Sequence, residues 1–232
     1  MSDSLRTAAA WATAAAAVIT VGSGSPAASP SSASVPLHIL LTLSSNLTSM
    51  TRQTLISEAE RIWRHEQVNI EWTRPGHTVE HPDAPLRVLV ISRPDSDTPL
   101  HRGWPVAELI PEAMPRAVAF AWISGAERVV DEAARSSTGD ARTPRDHRLG
   151  LVLGRAVAHE IGHFLLATGT HAERGLMRAS VDAREFAGLG GETFRLDPDA
   201  STWLRRRLST TPAGTAPTSD GFSYTSDTWL AR

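Results

Sequence analysis

From about Arg148 to Ala167 the chain is apolar nearly all round a helix. Leu151, Val152, Leu153, Val157, Ile161, Phe164, Leu165 and Leu166 leave no solvated stripe, so a helix here must be buried on every side. Into that segment the sequence sets His159, Glu160 and His163. Residues four apart leave the same helix face one turn apart, which lets both imidazoles reach one Zn2+ at about 2.0–2.1 Å. Burying two imidazoles and a carboxylate without partners is costly, and a metal provides for all three. Glu160, adjacent to the first His, falls beside such a metal rather than on it. There its carboxylate can take a proton from an activated water and pass it to a leaving amine. Gly162 in mid-helix weakens the helix and implies that something approaches it closely.

A catalytic zinc takes three protein ligands and keeps one position open. His171 is the expected third ligand. It follows His163 by eight residues, past Thr168-Gly169-Thr170, and Gly169 can end the helix in a left-handed turn that sends the chain back toward the metal. Glu173, Asp182, Glu185 and Glu192 are the alternatives, in a site of two His and one carboxylate. His38, His65, His77, His81 and His101 read as scattered surface or loop positions, and His147 as a candidate supporting residue near the start of the helix.

Elsewhere the pattern is mixed. Leu37–Leu43, Val68–Trp72, Leu86–Ile91 and Ala117–Ile123 read as strands. Thr51–His65, Glu127–Arg135 and Asp199–Leu208 read as helices, Ser44–Thr48 as a capping segment, and Phe194 as a weak strand position. Arg6 precedes an Ala-rich run from Ala8 to Val21 and a Gly/Ser/Pro/Ala stretch to Ser34. Residues 1–34 are therefore expected to be an export signal or a disordered segment, and the Ala-rich run is too short for a stable membrane span. Residues 35–208 form the expected catalytic domain and 209–232, rich in Thr, Pro, Ala, Gly and Ser, a disordered tail. The chain contains no Cys and no Lys, which excludes thiolate chemistry, Cys-based zinc sites, P-loops and Schiff-base lysines. A formal net charge of −2 gives no electrostatic case for nucleic acid.

His-Glu-Ile-Gly-His, the later His171 and Gly175-Leu176-Met177 resemble the zincin metallopeptidases, and within them the metzincins. The match spans about twenty residues and is similar also to bacterial zincin-like proteins of unassigned substrate. The resemblance implies a small mixed α+β sheet packed on the active-site helix, a Met-turn at Met177, and a C-terminal helix. It implies a zinc hydrolase cleaving peptide bonds in a peptide or protein substrate, with Glu160 as general base, acting in a secreted or periplasmic setting. The pattern differs in two places. Leu166 stands where metzincins have Gly, and His171 comes two residues later than their third His. No Tyr follows Met177 before Tyr224, leaving Arg178 as the candidate oxyanion partner. Zincins hold extended peptides against a strand edge, and Ala117–Ile123 is the strand expected to serve. A non-catalytic zinc-binding protein on the same scaffold, or a zinc hydrolase of non-peptide substrates, are the alternative readings.

Overall fold

A computed structural model describes residues 34–74, 84–92, 104–111, 117–136, 143–210 and 229–231. The putting-together of the core begins with β1 (Val35–Leu43), α1 (Ser49–Arg64), β2 (Val68–Thr73) and β3 (Leu86–Ile91). Then come β4 (Trp104–Pro111), β5 (Ala117–Trp122), α2 (Ile123–Ser136) and α3 (Arg145–Leu166). The last elements are β6 (Ser180–Val181), α4 (Ala183–Ala187), a 3-10 turn at Glu192–Phe194, α5 (Pro198–Thr210) and β7 (Trp229–Ala231). The fold is mixed α+β. The expected export segment at residues 1–34 lies almost wholly outside the described residues, as do His77, His81 and His101.

The sheet runs β2-β1-β3-β5-β4-β7-β6, with five strands of six to nine residues and two short ones at one side. β1, β2, β3 and β5 are mutually parallel, whereas β4 is antiparallel to β5. Alternation along each strand gives one face its core side chains. Ile39, Leu41, Leu86, Val88, Val90, Ala107, Leu109, Ala119 and Ala121 are buried, and the strand register sets them side by side. The short side chains on β5 leave room for α3, which lies against β3, β4 and β5.

α1 and α3 pack closely. A Cβ at Gly150 would lie 2.5 Å from the Thr54 Cβ, and one at Gly154 would lie 2.7 Å from the Leu55 carbonyl oxygen. Glycines one turn apart thus let the two backbones approach. Trp63 Nε1 donates to the Ala158 carbonyl at 3.1 Å. Thr48 caps α1 by accepting from the Thr51 amide at 3.2 Å, as the polar stretch before it suggested. α3 is long and apolar enough to cross a membrane, yet its apolar window is entirely buried within the protein.

Several elements differ from the sequence reading. β4 is a strand that the sequence hides, because Pro105, Glu108 and Pro111 argue against one. β5 is bonded by β3 on one side and β4 on the other, so the strand chosen as the peptide-binding edge has no free edge. α2 starts directly from β5 at Ile123 rather than at Glu127. Phe194 sits in a 3-10 turn, not a strand. Trp229–Ala231 forms β7 in the stretch read as a tail.

Candidate metal centre

α3 holds His159 and His163 at 0% and 2% exposure, with His171 half-buried in the loop that follows. Each side chain of the helical pair is oriented from behind. His159 Nδ1 meets the Leu176 carbonyl at 2.7 Å, and His163 Nδ1 meets the Thr168 carbonyl at 2.7 Å. A carbonyl only accepts, so both Nδ1 atoms carry the proton and both Nε2 atoms present lone pairs. Those two Nε2 atoms face each other at 3.0 Å. Two ligands at tetrahedral angles on one zinc stand about 3.3 Å apart. The ring of His171 lies 5.3 Å from that of His159 and 5.0 Å from that of His163, centroid to centroid. One nitrogen from each of the three lies within 4.8 Å of the others, so the trio could hold a metal ion.

The loop after α3 brings His171 there by a route other than the expected one. Ala167, not Gly169, is the left-handed residue that ends the helix, at φ 50° and ψ 46°. The Thr168 amide donates to the His163 carbonyl at 3.3 Å, closing the helix end. The same short turn presents the Thr168 carbonyl to the ring of His163. Helix termination and ligand orientation are therefore one piece of structure.

Residues 172–178 form the floor. The Ala172 amide donates to the Met177 carbonyl at 2.7 Å and the Leu176 amide to the Arg195 carbonyl at 2.7 Å. Gly175 takes φ +78°, and a Cβ there would also lie 2.5 Å from the Arg195 carbonyl oxygen, so only glycine fits the turn. Met177 is 3% exposed. Its sulfur occupies the space that a Cβ at Gly162 would need, 2.3 Å away, which accounts for a glycine in the middle of the buried helix.

Glu160 is 1% exposed, and neither carboxylate oxygen has a hydrogen-bond partner among the described residues. Burial, and the charge of Glu108 on β4, push its pKa well above the ordinary carboxylate range. Burial also pushes the His159 imidazole well below its ordinary value, helped by the neighbouring His163 and His171 and opposed by the Leu176 carbonyl. A neutral imidazole is the metal-binding form. Unpartnered buried carboxylate oxygens cost about 1–3 kcal/mol or more, and a water or ligand held at the centre would recover that loss.

The alternative ligands are engaged elsewhere. Glu185 accepts two hydrogen bonds from Arg178, at 3.0 and 2.7 Å, and these hold its carboxyl below the usual range. Asp182 caps α4 by accepting from the amides of Arg184 and Glu185. Glu192 pairs with Arg195, and Glu173 is exposed. Arg178, read as an oxyanion partner, is instead tied to Glu185 and, through Nε, to the Gly175 carbonyl at 3.0 Å. It braces the floor. His147 bonds Thr54 at 3.2 Å, about 18 Å along α3 from His159, and supports nothing at the centre. His38 pairs with Glu71 at the surface.

Sequence reasoning missed Glu108 and Arg155. Glu108 lies on the hidden strand β4. Arg155, one turn before His159, is 0% exposed. It donates to Glu58 Oε1 at 2.8 Å and to the carbonyls of Glu185, Phe186 and Gly190 at 3.2, 2.7 and 3.0 Å. An arginine inside an otherwise apolar helix was the available signal, since a buried charge requires partners. No protein-family model matches the chain, and no curated protein matches it in sequence.

Proposed function

We propose that this chain is a zinc-dependent hydrolase of the zincin type that cleaves peptide bonds, and that it acts outside the cytoplasm. One observation carries the reading. Three imidazoles each bring a nitrogen within 4.8 Å of the others, and the residue next to His159 is a buried glutamate whose oxygens have no hydrogen-bond partner among the described residues. A structural metal site needs four closed ligands and no adjacent acid, whereas three ligands plus a carboxylate suit hydrolysis.

His159, His163 and His171 would hold the ion, with Leu176 and Thr168 fixing the first two rings through their carbonyls. When bound, zinc lowers the pKa of water toward about 7 and polarises a carbonyl. Glu160 takes the proton of the attacking water on a carboxylate oxygen and delivers it to the leaving nitrogen. The Met177 sulfur lies against Gly162, next to His163 on α3, which supports the Met-turn reading. β4, whose side away from β5 is paired only by the three-residue β7 among the described residues, is the strand that would supply an extended peptide with main-chain partners.

Glu160→Gln tests the proposal, because it keeps size and hydrogen bonding but removes the base. Zinc content and folding should stay as in the wild type, while hydrolysis of an unstructured polypeptide falls by roughly 10²–10⁴-fold. Zinc-loaded wild-type protein that cleaves nothing in a broad peptide library would overturn the peptidase reading.

A further inference from the structure

β7 is the only strand joining β4 to β6 among the described residues. It runs antiparallel to β4, with Trp104 opposite Ala231, Pro105 opposite Leu230 and Ala107 opposite Trp229. On its other side it runs parallel to β6, with Ser180 opposite Leu230 and Val181 opposite Ala231. Both flanking strands adjoin segments that carry the histidine cluster or orient it. β4 packs on α3, the helix that carries His159, Glu160 and His163. β6 follows Met177 within a few residues, at the end of the loop whose Leu176 carbonyl orients His159. An extended segment lying between β4 and β6 is held by main-chain pairing on both sides, in the manner of an added strand.

The pairing is of a kind that yields. It is three residues long, its register shifts between Pro105 and Ala107, and Pro105 has no amide to donate. Short, irregular pairings at a sheet margin open at low free energy. Beyond Ala107, no strand among the described residues pairs with the same edge of β4.

We infer that the slot between β4 and β6 is an extended-peptide groove and that Trp229–Ala231 is its intramolecular occupant, so that the chain restrains access to its own metal centre. The regulatory part rests on the peptidase reading; occupancy of the groove does not. Because Trp229–Ala231 belongs to the same chain, its occupancy is intramolecular, and a free peptide must compete with it.

The test uses the full chain. Leu230 is paired on both sides, and Leu230→Pro removes its amide and breaks the strand. The probe is a fluorescent peptide with the sequence of residues 226–232, followed by anisotropy in metal-free and zinc-loaded protein. Leu230→Pro should bind it about tenfold more tightly than the wild type, whose groove is filled. Zinc-dependent hydrolysis of an unstructured polypeptide should rise by a similar factor in the variant, and the free peptide should inhibit it competitively. Equal peptide binding by variant and wild type overturns the inference, whatever the hydrolysis shows. Tighter binding by the variant with no hydrolysis by either protein supports the occupied groove and removes the peptidase reading instead. Ala231→Pro is the second variant. If both proline variants lose their folded circular dichroism spectrum, β7 is an integral strand and the inference falls.

Discussion

Replacing Arg155 with Met separates the support of the metal centre from the centre itself. Methionine keeps an unbranched apolar stem and removes the guanidinium. Glu58 would not be stranded, because Arg61 still holds both its oxygens at 2.7 and 3.0 Å. The buried hydrogen bond from Arg155 to the Phe186 carbonyl would be lost, at about 1–3 kcal/mol. The carbonyls of Glu185 and Gly190, only part-buried, would recover some of their loss from water. The guanidinium also stacks on Phe194 at 4.3 Å, a desolvated contact of about 1–2 kcal/mol. Together these give about 3–5 kcal/mol, the range found on breaking a buried pair. For a domain of this size that is a melting temperature lower by about 6–20 °C. Urea unfolding of the metal-free protein measures it directly. A loss below about 1 kcal/mol for Arg155→Met would refute the argument that this cluster holds α3 to the 185–190 segment.

Three further outcomes follow from named contacts. Gly162→Ala forces Met177 to move, at about 1–3 kcal/mol of overpacking against about 1 kcal/mol gained in helix propensity. Unfolding should show no net stabilisation, and Met177→Ala in the same chain should relieve the penalty; a Gly162→Ala protein more stable than wild type would contradict the packing. Ala167→Gly should raise stability by about 0.5–1 kcal/mol, because alanine sits there at φ 50°, and a destabilised variant would count against the left-handed cap. Burial raises the Glu58 pKa, but the hydrogen bonds and charges of Arg61 and Arg155 outweigh it and leave the carboxyl below its ordinary 4.5. Its contribution to stability is therefore complete above that value and lost as pH falls through the lower folded one. Glu58→Gln should flatten that acid limb in pH-dependent melts, and an unchanged limb would sink the assignment.

Much of the centre was legible because it lies in consecutive residues. The four-residue spacing of His159 and His163 and the burial of the helix were fixed by local pattern, and His171 was near enough in sequence to be limited to one short loop. The route of that loop was not legible. Gly169 looked like the natural left-handed residue, yet the turn falls on Ala167, where closing the helix also lets Thr168 orient His163. Arg178 next to Met177 suggested catalysis by position alone, whereas tertiary packing assigns it to Glu185. β4 escaped because an irregular strand containing proline violates the alternation that reveals strands. With β4 hidden, β5 was taken for an edge, and Glu108 could not be placed near Glu160.

The central claim is that three histidines share one metal ion. Calorimetric titration of metal-free protein with zinc tests it most directly, run on the wild type and on His159→Ala, His163→Ala and His171→Ala. The wild type should bind one zinc per chain, and each substitution should weaken that site by at least about 100-fold, roughly 2.7 kcal/mol, with Glu160→Gln leaving the stoichiometry unchanged. Folded wild-type protein that takes up no zinc, or a His171→Ala variant that binds as tightly as the wild type, would contradict the account.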